Sequence, residues 1–301
     1  MTEARSNFND LMVPGLFAVA TEGYRKVIQG WRPAYSVRAS KRAYEESTYV
    51  SGFGLMVQKP EGTPVAYDDR IQGPVKRWVH ETYALAVRIT EECIEDEMYG
   101  VMKKAMRDLG KTAAATKAVL RSRLLMTGET PAFHTAGDGL PIFSANHVRL
   151  GGGTWSNLHP VAADPTEATL TAAIHNFEQI TDHRGKRYQN RAVGIMCGPK
   201  WEFRFEKLLG SRQEPDTANN AINAVRSRRS LTLHIDPEIT DGRWFILGEK
   251  DPDIGIIGFD RVRPQTNRHG DFDTGDSMFS IRMRLSQEAN DPRQIYMVEG
   301  L

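Results

Sequence analysis

The sequence predicts an α+β fold organised around one long helix, and three stretches carry that expectation. Residues 44–57 and 71–89 are rich in β-branched and aromatic side chains and flank a centre holding Pro60, Gly62, Pro64, Gly73 and Pro74, the pattern of a long hairpin with a wide, irregular tip. Residues 91–126 repeat apolar side chains at helical spacing. Beyond residue 166, short helical and strand-like patterns alternate, as in a compact α/β lobe. At 301 residues, 40% hydrophobic and 26% charged, the chain can bury a core without staples.

In chain order, residues 1–34 read as an N-terminal arm with an amphipathic segment at 16–28, ended by Gly30 and Pro33. The apolar run at 11–20 ends in Ala18-Val19-Ala20 and imitates a secretory cleavage site. Its flank is wrong for that role, because Glu3, Arg5 and Asp10 give no positive excess and Pro14-Gly15 interrupts the run. In the hairpin's second strand, Val79, Tyr83, Leu85, Val87 and Ile89 share one face while His80, Thr82 and Arg88 take the other. One face is expected to pack and the other to meet solvent or a neighbour.

Thr90 then offers a helix N-cap, with Glu91 and Glu92 where the helix dipole favours negative charge. Ile94, Met98, Val101, Ala105, Leu109, Ala113, Leu120 and Leu124 form the apolar stripe of a helix over 91–126, closed by Gly128. Continuous, it would span about 54 Å; Gly100 and Gly110 leave an interruption or kink open. Residues 129–165 read mostly as loop. Helices follow at 167–181 and 201–209, and strands at 193–197, 232–235 and 244–247. The closing strands, at 254–259 and 279–285, are expected to return to the long helix.

Composition excludes several classes. A formal charge of +1 offers no global basic field for nucleic acid, and no window approaches the roughly 18 apolar residues of a membrane span. Cys93 and Cys197 lie far apart without zinc or redox spacing.

The search for chemistry finds no assembled set. Gly110-Lys111-Thr112 looks like the tail of a phosphate-binding loop, but the first glycine's place holds Ala105 and the stretch lies inside the helical pattern. Asp271, Asp273 and Asp276 sit close together near Gly275, yet the position of the bidentate calcium glutamate is Arg282, so a polar turn is expected. Gly151-Gly152-Gly153 reads as a flexible turn, and Ser144 with His147 lacks the GxSxG setting of a nucleophile. Arg226, Arg228 and Arg229 form a basic knot suited to phosphate, to solvent or to an ion pair with a neighbouring subunit.

The order of arm, long hairpin, long helix, α/β lobe and returning strands resembles the major capsid (head) proteins of tailed bacteriophages, with the Hong Kong 97-type fold. Local motifs add to it: Lys59-Pro60-Glu61-Gly62 with Val65-Ala66-Tyr67-Asp68-Asp69 and Gln72-Gly73 is similar to an extended-loop tip of that family, leading to Arg88-Ile89-Thr90-Glu91-Glu92. Asp138-Gly139-Leu140-Pro141-Ile142-Phe143-Ser144, with His147, Gly152-Gly153-Thr154 and Ser156-Asn157-Leu158, is a second match, and the strand at 279–285 with Asp291-Pro292-Arg293 a third.

The resemblance implies an arm at 1–42, an extended loop at 43–90, a peripheral domain at 91–165 with the spine helix and connecting loop, an axial domain at 166–258 and returning peripheral strands at 259–301. It implies a non-enzymatic subunit without cofactor or metal, self-assembling as hexamers and pentamers into an icosahedral head around double-stranded DNA. The implied setting is the virion, after assembly in the host cytoplasm. Implied partners are the chain itself, a scaffolding protein, a portal and a decoration protein, with non-specific contact to packaged DNA and no membrane. A separate scaffold is expected, since only about forty residues precede the hairpin. Candidate intersubunit contacts are Lys59, Glu61, Asp68, Asp69 and Arg70. Some family members cross-link a loop lysine to a neighbour's asparagine; no pattern here identifies a partner for Lys59, and cross-linking is not expected. Two other readings are an encapsulin-like compartment subunit and a metal- or nucleotide-dependent hydrolase using Asp271, Asp273 or Gly110-Lys111.

Overall fold

Two glycines decide how the first helices meet. Helix α1 (Asn9–Arg25) crosses helix α2 (Tyr99–Thr127) so closely that a Cβ on Gly110 would overlap the Ala20 carbonyl oxygen, and one on Gly23 that of Arg107. The structure is a computed structural model that describes residues 9–90, 92–93, 96, 98–211, 225–226, 230–251, 254–271 and 275–300. Pro14 lies inside α1, which therefore starts earlier than the expected residue 16. Leu16 and Ala20, buried against α2, supply the tertiary packing that outweighs one missing backbone donor.

The long helix begins at Tyr99 instead of residue 91. Thr90 does cap, but only a short turn: the Cys93 N–H donates to Thr90 Oγ1 at 3.4 Å and the Asp96 N–H to the Glu92 carbonyl at 2.9 Å. Five acidic residues within 91–97 disfavour one continuous helix through like-charge repulsion at helical spacing. Glu91 and Ile94 lie outside the described residues. Leu109, Ala113 and Leu124 are buried as expected, whereas Met98 and Val101 are exposed and Met102 and Met106 take the inner positions. Both faces of this turn are apolar in sequence, and docking of α1 selects the methionine one.

Strand β2 (Tyr44–Val50) pairs antiparallel with β3 (Gln72–Val79), forming the hairpin. The expected second strand does not run on to residue 89 in that hairpin. At His80 the chain changes partner, and β4 (Glu81–Ile89) pairs with β11 (Ser277–Ala289). His80 is buried between two hydroxyls, with Nδ1 2.9 Å from Ser286 Oγ and Nε2 3.0 Å from Ser40 Oγ. Trp78 packs edge-on against Phe259 at 5.6 Å. The inward residues at this junction are therefore Trp78 and His80, while Val79 and Leu85, expected on the packed face, are exposed.

Strand β1 (Tyr35–Ala39) runs parallel to β10 (Ile256–Gly270), giving a sheet in the order β1-β10-β11-β4. Phe279 and Ile281 of β11 face α1 and α2. β10 extends well past the expected residue 259, through a polar segment without apolar alternation. Its register breaks on either side of Val262 accommodate Pro264, which has no N–H for the ladder. β5 (His147–Val148) and β6 (Thr154–Trp155) make a small ribbon within the loop region.

The lobe sheet is ordered β12-β9-β7-β8, from β7 (Ala192–Cys197), β8 (Thr232–Ile235), β9 (Trp244–Gly248) and β12 (Ile295–Val298). Helices α3 (Glu167–Glu178) and α4 (Glu202–Gly210) contribute to its core through Leu170, Phe177 and Phe205. Thr166 caps α3 reciprocally with Thr169, each side chain accepting from the other's backbone N–H at 3.1 and 2.8 Å. The chain's last strand, β12, joins this sheet, whereas β11 stays beside α2. Between the two sheets, Trp31, Leu124, Phe143, Phe245 and Met297 share one buried cluster.

Candidate assembly surface

The hairpin has a fixed base and an open tip. At the base, Tyr49 stacks on His183 with ring centroids 4.5 Å apart and planes 8° from parallel, and Gly73 leaves room beneath the Tyr49 ring. Ser51 exchanges two hydrogen bonds of 2.8 Å with Ile71, the last before the strands separate. Beyond them, residues 52–70 form no ladder; one turn at Glu61-Gly62, with Gly62 at φ +78°, reverses the chain.

Arg184 ties this tip to the lobe. It donates to the Gly52 carbonyl at 3.2 Å, to Asp68 Oδ1 at 3.0 Å and to the Asp69 carbonyl. The other Asp68 oxygen accepts from the Gly54 N–H at 2.7 Å. The Gly54 N–H and Arg184 together hold the Asp68 carboxyl below the usual range, the backbone bond contributing most. Arg70 lies over the Phe53 ring at 4.9 Å. Asp68, Asp69 and Arg70 are thus engaged within their own subunit. Lys59 and Glu61 stand exposed at the tip.

Sequence reasoning named the tip's charges and missed its apolar side chains. Leu55, Met56, Val57 and Tyr67 are 80%, 102%, 75% and 98% exposed, so they belong to no core of this subunit. The available signal was the apolar triplet at 55–57, which reads as the end of the expected strand 44–57, whereas the observed β2 stops at Val50. Arg184 carried no local signal, because its partners lie more than a hundred residues away.

Behind the base sits a buried charge cluster. Arg293 pairs with Asp291, donates to the Thr181 carbonyl at 2.9 Å and lies 4.3 Å from the Trp155 ring centroid. His183 Nε2 lies 2.9 Å from Arg293 Nη1 and 3.2 Å from Asp291 Oδ2. Burial by itself would raise the Asp291 carboxyl, but Arg293 and His183 outweigh it and hold it below the usual carboxylate range. The stacked His183 and the tip-holding Arg184 are consecutive residues, so this cluster fixes the hairpin's direction.

The other sequence candidates find structural employment. Gly110 serves the helix crossing, and Lys111 is solvent-exposed on α2, 3.5 Å from Asp108. Arg88 pairs with Asp271 at 3.0 Å and Asp276 at 3.5 Å across the β10–β11 turn; Asp273 lies outside the described residues. Among the described residues no group of three His, Cys, Asp or Glu side chains is placed to hold a metal. His147 directs its two ring nitrogens at Asp138 Oδ2 (2.8 Å) and the Ile142 carbonyl (3.2 Å), not at Ser144. Arg226 donates to the Gly210 carbonyl, while Arg228 and Arg229 lie outside the described residues. Among the described residues no helix is long and apolar enough to cross a membrane.

Comparison with known proteins places this geometry. Residues 76–298 match the model of a family described as phage capsid protein. Among solved structures, the capsid of an empty GTA particle is similar with a TM-score of 0.56 at 14% identity, covering 94% of this chain and 98% of that one. A structure from Microbacterium phage Oxtober96 follows at 0.54 and 11%, covering 90% of each chain. The procapsid of bacteriophage JBD30 follows at 0.52 and 15%, covering 97% of this chain and 76% of that one. No curated protein matches the chain. The fold, with its long hairpin, long helix and two four-stranded sheets, is the Hong Kong 97 type. The family match spans most of the sequence, and the chain belongs to the phage capsid protein family.

Proposed function

We propose that this chain is a major head protein, assembling as hexamers and pentamers into an icosahedral shell around double-stranded DNA. The observation that carries the proposal is the hairpin: an apolar tip held away from every core of its own subunit, on a base locked by Tyr49, His183 and Arg184. Contiguous apolar side chains left in water mark an interaction site. Family membership makes a copy of the same chain the natural occupant. A contact repeated at every interface of a closed shell needs only modest strength.

In this reading Lys59 and Glu61 meet a neighbouring subunit alongside Leu55 and Tyr67, whereas Asp68, Asp69 and Arg70 set the angle of the tip. Residues 43–90 form the intersubunit loop, the spine helix and its sheet the peripheral part, and 166–258 the axial part. The role is structural rather than catalytic. A scaffolding protein, a portal and a decoration protein complete the assembly, which takes place in the host cytoplasm.

The test replaces residues 55–67 with Asn-Gly, keeping Gly54 and Asp68. Circular dichroism and thermal melting should match the parent, while electron microscopy should show free subunits or capsomers and no closed shells. Normal shells from this variant would refute the intersubunit role of the tip.

A further inference from the structure

A cleft of about 590 Å³ opens between the segment leading into β1, the middle of α2 and β10. Four separate parts of the chain send cations to it: Arg32, Lys117, Lys250 and Arg263. Asp260 is the one acid among its described lining residues. That carboxylate is already matched, since Lys117 Nζ lies 2.9 and 2.7 Å from its two oxygens and the buried Arg121 lies 3.3 Å from Oδ1. Lys250 Nζ donates to the Arg32 and Tyr35 carbonyls at 3.2 and 2.9 Å, which satisfies hydrogen bonds without neutralising charge. Arg32 and Arg263 are exposed, and among the described residues neither pairs with an acid. Burial pushes the Lys117 amine down against the pull of Asp260, and Arg121 and Arg32 add smaller pushes in the same direction.

We propose that this cleft is a phosphate site that takes the sugar–phosphate backbone of a nucleic acid. Arg32 and Arg263 make the outer contacts, and Lys117 and Lys250 supply the charge behind them. The planar fork of arginine matches phosphate oxygens in pairs. Trp31 and Tyr35 form the inner wall and, at 1% exposed, offer no ring face to a base, while the third ring, Tyr24, is half-buried and any stacking on it would be sequence-tolerant. Recognition therefore runs through the backbone and carries no sequence preference. The site deepens the reading of the chain as a shell subunit around DNA, and rests on it for the source of the phosphate.

The test measures fluorescence anisotropy of a labelled 20-base-pair duplex with the purified full chain over a salt series. The double variant Arg32→Gln/Arg263→Gln is compared with Lys59→Gln, and inorganic pyrophosphate is the small competitor. Loss of two phosphate contacts should make the slope of log affinity against log salt shallower by roughly 1.8 in the double variant, equally for unrelated duplex sequences. Lys59→Gln should keep the parent slope, melting should be unchanged in both, and the double variant should still form shells. An unchanged slope in the double variant overturns the site. A parent protein that binds pyrophosphate but not duplex overturns the nucleic-acid assignment. Failure of the parent to form shells counts against the shell reading and leaves the duplex measurement standing by itself.

Discussion

The hairpin tip and the lobe sheet are both rich in apolar side chains, yet they use them in opposite ways. In β7 and β9 every residue but Val193 is buried, and Trp244, Phe245 and Ile246 are fully enclosed. In the tip, Leu55, Met56, Val57 and Tyr67 face water, and the backbone between residues 52 and 70 has lost its ladder. The lobe spends its apolar surface on its own stability, whereas the tip holds apolar surface in reserve. What separates them is continuity with a core. β9 is flanked on both sides by strands, but the tip is joined to the subunit by little more than Arg184 and the ring stack at its base.

The comparison can be broken most strongly on the lobe side. Phe245→Ala removes a fully buried ring from the cluster between the two sheets and should cost about 3–5 kcal/mol, lowering the melting temperature by roughly 10 °C. A wild-type melting curve would show that the lobe is not the closely packed element described here. The second test titrates the buried cluster. Asp291 has a depressed folded-state pKa, so the stability it contributes is complete above its unfolded value of about 3.9 and is lost as pH falls through the folded value. The parent should therefore lose melting temperature more steeply on acidification below about pH 4 than Asp291→Asn does. Equal slopes in the two proteins would remove Asp291 as a source of acid sensitivity. The smallest effect belongs to the tether: Arg184→Ala breaks a solvent-screened ion pair that adds little to global stability. Global melting should barely move, while limited proteolysis within residues 52–69 should become several-fold faster. Unchanged cleavage would mean that something else holds the tip.

Much of this was legible in the sequence because it rests on local pattern. Strand β8 lies at its expected 232–235, and β9 and α4 fall within a residue of theirs. Leu109, Ala113 and Leu124 marked the inner face of the spine helix. The hairpin also announced itself, by β-rich flanks around proline and glycine. The errors lie where a distant partner decides. At His80 the alternation continues smoothly, but β11 captures the second half of the strand and Ser40 and Ser286 bury the imidazole. Residues 260–270 look like a polar loop and become strand because β11 offers them a ladder.

By itself, the sequence determined the kinds of element and their order, since helical and strand periodicity are properties of neighbouring residues. It determined also that the tip is poor in regular structure, through proline and glycine placed together. Only the tertiary structure decided which apolar residues are core and which are displayed, because burial depends on what the rest of the chain brings to a face. Lys117, Arg121, Asp260, Arg32 and Arg263 come from three distant segments and make one charged cleft; His183, Asp291 and Arg293 do the same beneath the hairpin. Coulomb interactions act through space between groups that chain order keeps far apart, so no reading along the sequence brings them together.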